Sequence, residues 1–184
     1  MKSEKEKMIA GEHYFGNDKE LILDRQKAKK MLFELNISGY FSNKNNAILR
    51  QLLPNSSKQI YIEPPFHCDY GYNIICGKNV YFNVNCVILD AGTVTIGDNV
   101  FVGPGVQIYT STHPLNATER LKFQFSKPIS IENDCWIGGN VVICPGVTIG
   151  AGSVIGAGSV VTKNIPGGVL AAGNPAVVVK NLNL

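Results

Sequence analysis

The chain has 184 residues, enough for one domain with a sizeable core and a small appendage. Seventeen basic residues interspersed with fourteen acidic ones leave a net charge of +3, too mild and scattered for a nucleic-acid footprint. No stretch approaches the apolar length of a membrane span. The charged start "MKSEKEKMIAGEHY" lacks the apolar core of a secretory signal, so a cytoplasmic location is expected.

Residues 1–55 read as a helical module. Ser3 and Glu6 have the spacing of a capping box. Asn17 and Asp18 offer caps for a second helix that places Leu21, Ala28, Leu32 and Leu35 on a helical period. A shorter helix in "SNKNNAILRQLLPN" is closed by Pro54. The module is charged and modest in hydrophobicity, so it is expected to pack on something else. Residues 56–75 read as a connecting segment, and 171–184 as a tail.

From residue 76 to about 170 the grammar changes. In steps of six, one series runs Val84, Asp90, Ile96, Val102, Ile108. A second, two residues earlier in each step, runs Phe82, Ile88, Val94, Val100, Val106. The first series resumes as Ile131, Ile137, Ile143, Ile149, Ile155 and Val161, with glycine following at Gly97, Gly103, Gly138, Gly150 and Gly156. The step from Ile108 to Ile131 is no multiple of six, so a loop is inserted at 110–128. Such hexapeptides specify a mainly β fold, a parallel β-helix in which aliphatic residues stack inward and small residues sit at tight corners. A β-sandwich would instead show period-two alternation with turns every 8–12 residues. Asp90 is the misfit, because an inward carboxylate without partners is costly. It must face a corner or a subunit boundary, or mark an irregular coil.

Five cysteines, an odd count without a C-x-x-C pair, suggest neither a disulfide framework nor a thiolate zinc site; they read as reduced, buried residues. "NSS" and "NAT" match the glycosylation pattern but lack a secretory context.

The segments "EKEKMIAGEHY", "PPFHCDYGYNI", "NVYFNVNCVILD", "VTIGDNVFVGPGVQIYTSTHPL" and "CWIGGNVVICPGVTIGAGSVIGAGSVVTKNIP" cover nearly the whole chain. Together they resemble the hexapeptide-repeat sugar O-acetyltransferases of the maltose and galactoside acetyltransferase family. The resemblance implies a left-handed β-helix of triangular section, assembled as a homotrimer with active sites between subunits. It also implies acetyl-CoA as donor and a sugar hydroxyl as acceptor, with no metal.

Acetyl transfer to a hydroxyl needs a base, a stabilised oxyanion and a fixed pose. Histidine, with an unperturbed pKa of about 6.5, is the natural base near neutrality. Of the three histidines, His13 lies in the helical module and reads as a surface residue, while His67 in "PPFHCDY" is a structural or acceptor-pocket candidate. His113 stands where the coil opens into the loop, before a proline that favours an extended backbone. Position, scarcity and the resemblance together assign it the catalytic role.

Carried over residue by residue, the resemblance implies an acceptor site at Asp69 and Asn83 with Tyr81 nearby. Asn83 would also serve the oxyanion; its alternative is a left-handed corner residue. For the donor the implied positions are Trp136, Gly139, Ala157, Thr162 and Lys163, the lysine suiting a phosphate. Trp136 reads almost equally well as a packing residue.

Three departures from the family pattern stand out. Phe15 and Gly16 stand where some members place a polar or acidic residue, Ala91 where some galactoside enzymes have an acid, and Val177 where a base helps hold CoA. Lys180 is left as the basic candidate there. The alternatives are a xenobiotic (antibiotic) O-acetyltransferase, which usually lacks the helical module, and a non-catalytic β-helix binding protein, which needs neither His113 nor the loop. A zinc hydratase on this scaffold needs three converging histidines; the repeats carry one.

Overall fold

Alternation within each hexapeptide fixes where the side chains go: positions i and i+2 of every short strand turn inward, and the residue between them turns out. A computed structural model describes residues 2–38 and 43–182. In it the repeats wind into a parallel β-solenoid with three sheet faces. The first face stacks Ile60–Ile62, Val80–Phe82, Phe101–Val102, Trp136–Ile137, Val154–Ile155 and Val169–Gly173, and ends on the antiparallel strand Ala176–Asn181. The second stacks Phe66–Cys68, Cys86–Leu89, Gln107–Tyr109, Val142–Ile143 and Val160–Val161. The third stacks Ile74–Cys76, Val94–Ile96, Ile129–Ile131 and Thr148–Ile149.

The inward pairs form the core. Val102, Ile137 and Ile155 stack in register, as do Ile108, Ile143 and Val161, and all are at most 1% exposed. At about 0.8 kcal/mol per buried CH₂, these columns are the main source of stability.

Two expectations change. Stacking begins at Ile60, so residues 56–75, expected as a connector, hold most of the first coil. Val84 does not belong to an inward column, and Asp90, the misfit of its series, sits at a corner as one of its readings allowed. The inward pairs of the second and third faces, Cys86 with Ile88 and Val94 with Ile96, start eight residues apart, not six. That two-residue extension shifts the phase, so counting by six from Ile96 back to Asp90 and Val84 lands on corners.

The same extension recurs one coil below, between Phe66–Cys68 and Ile74–Cys76, and the long loop occupies the same corner one coil above. Accordingly Tyr81 pairs with Phe101, twenty residues on, whereas Trp136 pairs with Val154, eighteen on. One edge of the prism therefore carries every lengthened corner. The other two edges are regular and carry left-handed residues, Asn85, Gly105, Asn140 and Gly158 on one and Asn79, Asn99, Asp134 and Gly152 on the other. The glycines that follow the inward residue serve a different need. A Cβ at Gly138 would lie 2.6 Å from the Ala157 nitrogen, and one at Gly103 2.6 Å from the Gly139 nitrogen. Close stacking of coils, rather than a positive φ, excludes a side chain there.

The helical module follows its sequence signals. Helix α1, Glu4–Ile9, has the full Ser3–Glu6 capping box. Helix α2, Lys19–Ile37, is capped by Asp18 and buries Leu21, Ala28, Leu32 and Leu35. Helix α3, Asn43–Leu52, precedes Pro54. Asn36 of α2 anchors the module to the solenoid: its amide donates to the Phe66 carbonyl at 3.0 Å and accepts from the Phe66 N–H at 2.9 Å. All five cysteines are free, and burial pushes the Cys86 and Cys76 thiols up to about 11 and about 12. Among the described residues no helix is long and apolar enough to cross a membrane, and no group of three metal-ligating side chains converges.

Candidate active site

The inserted loop folds back on its own helical module. Ser111–Thr112 pairs antiparallel with Phe125–Ser126, and between them Asn116 caps a one-turn helix α4, Ala117–Arg120. Tyr14 and Gln124 bridge loop and module through paired backbone bonds, and Ser126 Oγ donates to the Met8 carbonyl at 2.9 Å. His13 is exposed and stacks on Phe123, ring centroids 5.7 Å apart, so it serves this docking.

Where the loop, the module and the lengthened corners meet, they line an open cavity of about 380 Å³. His113 lines it, as do Asp69, Tyr70, Ser111, Arg25 and Ala91. His113 is exposed, and the neighbouring Pro114 is buried, which plants the loop beside it. Burial raises the Asp69 carboxyl above its ordinary range, opposed by the Arg25 and Lys29 cations. Arg25 donates to the Tyr70 hydroxyl at 2.6 Å and to the Gly16 carbonyl at 2.8 Å, joining module to corner. Arg25, Tyr70 and Ser111 were not singled out from sequence. Only the position of Tyr70 beside Asp69, and of Ser111 two residues before His113, hinted at them.

Asp90 lies beneath this cavity, fully buried. Its Oδ1 accepts from the Asp69 and Tyr70 N–H groups at 2.9 Å each, and its Oδ2 from Gly71 N–H at 2.7 Å. The partners that such a carboxylate requires are thus backbone amides of the corner below. Burial nonetheless pushes its carboxyl up to about 6.

The other candidates sit elsewhere on the same chain. Tyr81, Asn83, Trp136 and Gly139 line a groove of about 370 Å³ along a regular edge of the prism. The left-handed residue of that corner is Asn85, which removes the corner explanation for Asn83. Asn83 Oδ1 accepts from the Val84 N–H at 2.8 Å. Tyr81 donates its hydroxyl to Glu63. Trp136 is 57% exposed and stands outward between Phe101 and Val154. At the stacked equivalents of Val84 along this edge, Pro104 has no N–H, and the Gly139 and Ala157 N–H groups make no hydrogen bond among the described residues. Two donors therefore point from one edge without a partner.

Thr162 and Lys163 are exposed on the lengthened edge, two coils above the loop, apart from Gly139 and Ala157. Lys180 is exposed on the terminal antiparallel strand. His67 faces a groove against Phe33 and Lys29 of α2, separate from His113. One chain thus brings His113 and Asp69 together, and Asn83, Tyr81, Trp136 and Gly139 together, but on different edges.

Comparison with known proteins gives this arrangement a context. Residues 7–56 match the maltose acetyltransferase hexapeptide capping motif, and residues 128–163 the bacterial transferase hexapeptide of six repeats. A maltose O-acetyltransferase from Clostridium difficile 630 superposes with a TM-score of 0.97 at 45% identity, covering 100% of this chain and 99% of that one. The chain belongs to the maltose and galactoside O-acetyltransferase family. A galactoside acetyltransferase in complex with coenzyme A matches with a TM-score of 0.94 at 39% identity, covering 100% and 92%. A hexapeptide-repeat acetyltransferase from Vibrio cholerae, complexed with acetyl-coenzyme A, matches at 0.90 and 41%, covering 100% of each chain. This O-acetyltransferase family member superposes on all three relatives over its full length.

Proposed function

We propose that this acetyltransferase moves acetyl from acetyl-CoA directly to a hydroxyl of a maltose-, glucose- or galactoside-type sugar. The observation that carries the reading is the separation of two half-sites, His113 with Asp69 on one edge and Asn83 with Gly139 on another. Neither is complete alone. A second copy, packed as in a homotrimer with sites between subunits, would bring one chain's loop against its neighbour's regular edge.

In that assembled site the sugar O–H attacks the thioester carbonyl carbon as the His113 imidazole takes the hydroxyl proton. Asn83 donates to the resulting oxyanion. Collapse breaks the C–S bond, and the departing sulfur takes the proton from the imidazolium, leaving acetylated sugar and CoA thiol. Asp69 accepts from acceptor hydroxyls, and Tyr81 borders the same groove. The free N–H groups of Gly139 and Ala157 suit the amide-bearing arm of CoA, with Trp136 alongside. Thr162, Lys163 and Lys180 provide hydroxyl and positive charge for its phosphates.

Mixing tests the shared site. His113→Ala and Asn83→Ala chains, each inactive alone, should regain turnover after co-refolding. Random assembly puts both wild-type residues in about a quarter of the sites. Free CoA thiol release over a sugar panel is the readout, and mixtures as silent as their parents would refute a site built from two chains.

Trp136→Ala should leave unfolding within about 1 kcal/mol of wild type, since the ring is outward and half exposed. The KM for acetyl-CoA should rise about tenfold, as expected for loss of a well-packed aromatic contact. An unchanged KM with lowered stability would make Trp136 a packing residue.

A further inference from the structure

Beneath the His113 cavity lies a buried polar network that none of the proposed catalytic steps uses. Four of the buried polar side chains, Asn73, Asp90, Thr110 and Ser126, are at most 6% exposed and belong to the three stacked lengthened corners or the end of the loop. The middle corner, residues 89–92, is bonded both ways. Downward, the Asp90 carboxylate holds the N–H groups of Asp69, Tyr70 and Gly71, while Asn73 Nδ2 donates to the Asp90 carbonyl at 2.7 Å. Upward, Gly92 N–H donates to Thr110 Oγ1 at 2.8 Å, and that hydroxyl donates to the Leu89 carbonyl at 2.6 Å. Thr110 is also the last residue before the Ser111–Thr112 strand that leads to His113.

We propose that Asp90 is a positioning residue for the acceptor half-site, holding the Asp69–Gly71 backbone so that Asp69 faces the cavity in a fixed relation to His113. The proposal rests on the assignment of Asp69 and His113 to acetyl transfer. Corners of the regular six-residue length take one such bond each: Asp98 Oδ1 accepts from the Lys78 N–H at 2.7 Å, and Asn133 Oδ1 from the Asp98 N–H at 2.8 Å. The two extra residues leave three consecutive N–H groups pointing inward where no strand can receive them. An unpartnered buried N–H is costly, so the corner demands an acceptor, and a two-oxygen side chain from the coil above meets three donors at once. Its neighbour Ala91 is the residue of that corner that reaches the cavity. Asp90 therefore acts on the acceptor through Asp69 and Tyr70, without touching it.

The test is a double-mutant cycle on the full-length protein with Asp90→Asn, Asp69→Ala and the pair. Asp90→Asn preserves shape but replaces one acceptor oxygen with a donor that faces an N–H. The expected result is a sugar KM raised about tenfold or more with the acetyl-CoA KM within about twofold of wild type. In the Asp69→Ala background the added effect of Asp90→Asn should largely vanish, because coupled residues are non-additive. A variant that melts lower yet keeps both Michaelis constants, or effects that simply add, would overturn the positioning role. Should Asp90→Asn fail to fold, Thr110→Val, which removes the two upward side-chain bonds at nearly constant volume and keeps the Thr110 N–H bond to the Leu89 carbonyl, carries the same two outcomes. Failure of the underlying assignment looks different: His113→Ala would turn over normally, whatever Asp90 variants do.

Discussion

Acetyl transfer to sugar acceptors should fall by more than about 10²-fold in His113→Ala, the usual contribution of a positioned general base. The substitution removes the only imidazole lining the cavity of Asp69 and Ser111 among the described residues. The side chain is exposed and makes no hydrogen bond or ion pair among the described residues, so folding should not change. The measurement pairs free-thiol kinetics with thermal melting and native mass. Wild-type turnover in a well-folded variant would remove His113 from the chemistry. Loss of turnover together with a lowered melting temperature would show that the loop docking had been disturbed. In that case His113→Gln, which keeps polarity without a base, separates the two effects.

The largest expected loss of stability belongs to Ile137→Ala. Ile137 is fully buried, with Val102 below and Ile155 above in register. Removing its outer carbons opens a cavity between two coils that backbone ladders prevent from closing, and the cost should be about 2–5 kcal/mol. Urea unfolding at fixed protein concentration checks it, since any assembly makes stability depend on concentration. A loss below about 1 kcal/mol would mean that the coils relax around the gap. Ile137 and Trp136 are adjacent, yet one substitution should act on stability and the other on KM. Strand alternation alone produces that contrast.

The column was legible in the sequence because its period is the structure: Ile131 to Val161 fall inward without exception. It failed where the period changed. Val84 was placed in a column because a two-residue extension is invisible to a count by six, whereas Asp90 takes the corner that its misfit in the series allowed. Residues 56–75 looked like a connector because the first coil carries that extension and the Pro64–Pro65 pair. In the helical module, the caps and the apolar spacing of α2 sufficed, since both are local. The loop's return to Tyr14 was beyond reach, because that contact joins residues more than a hundred positions apart. His113 and Asp69 could be named separately, but only the shared edge of lengthened corners places them together.

The antiparallel strand Ala176–Asn181 has a consequence for how copies of this chain avoid one another. A parallel solenoid ends in strands whose outer N–H and C=O groups would accept another coil, and nothing in a repeating column marks where to stop. Here the chain reverses and lays Ala176–Asn181 over Val169–Gly173. The terminal strand is exposed, carries Lys180, and runs against the direction that every coil below it follows. An incoming coil would meet the wrong polarity and a charge, which blunts end-to-end growth. The hairpin closes that end of the first face against edge-to-edge pairing.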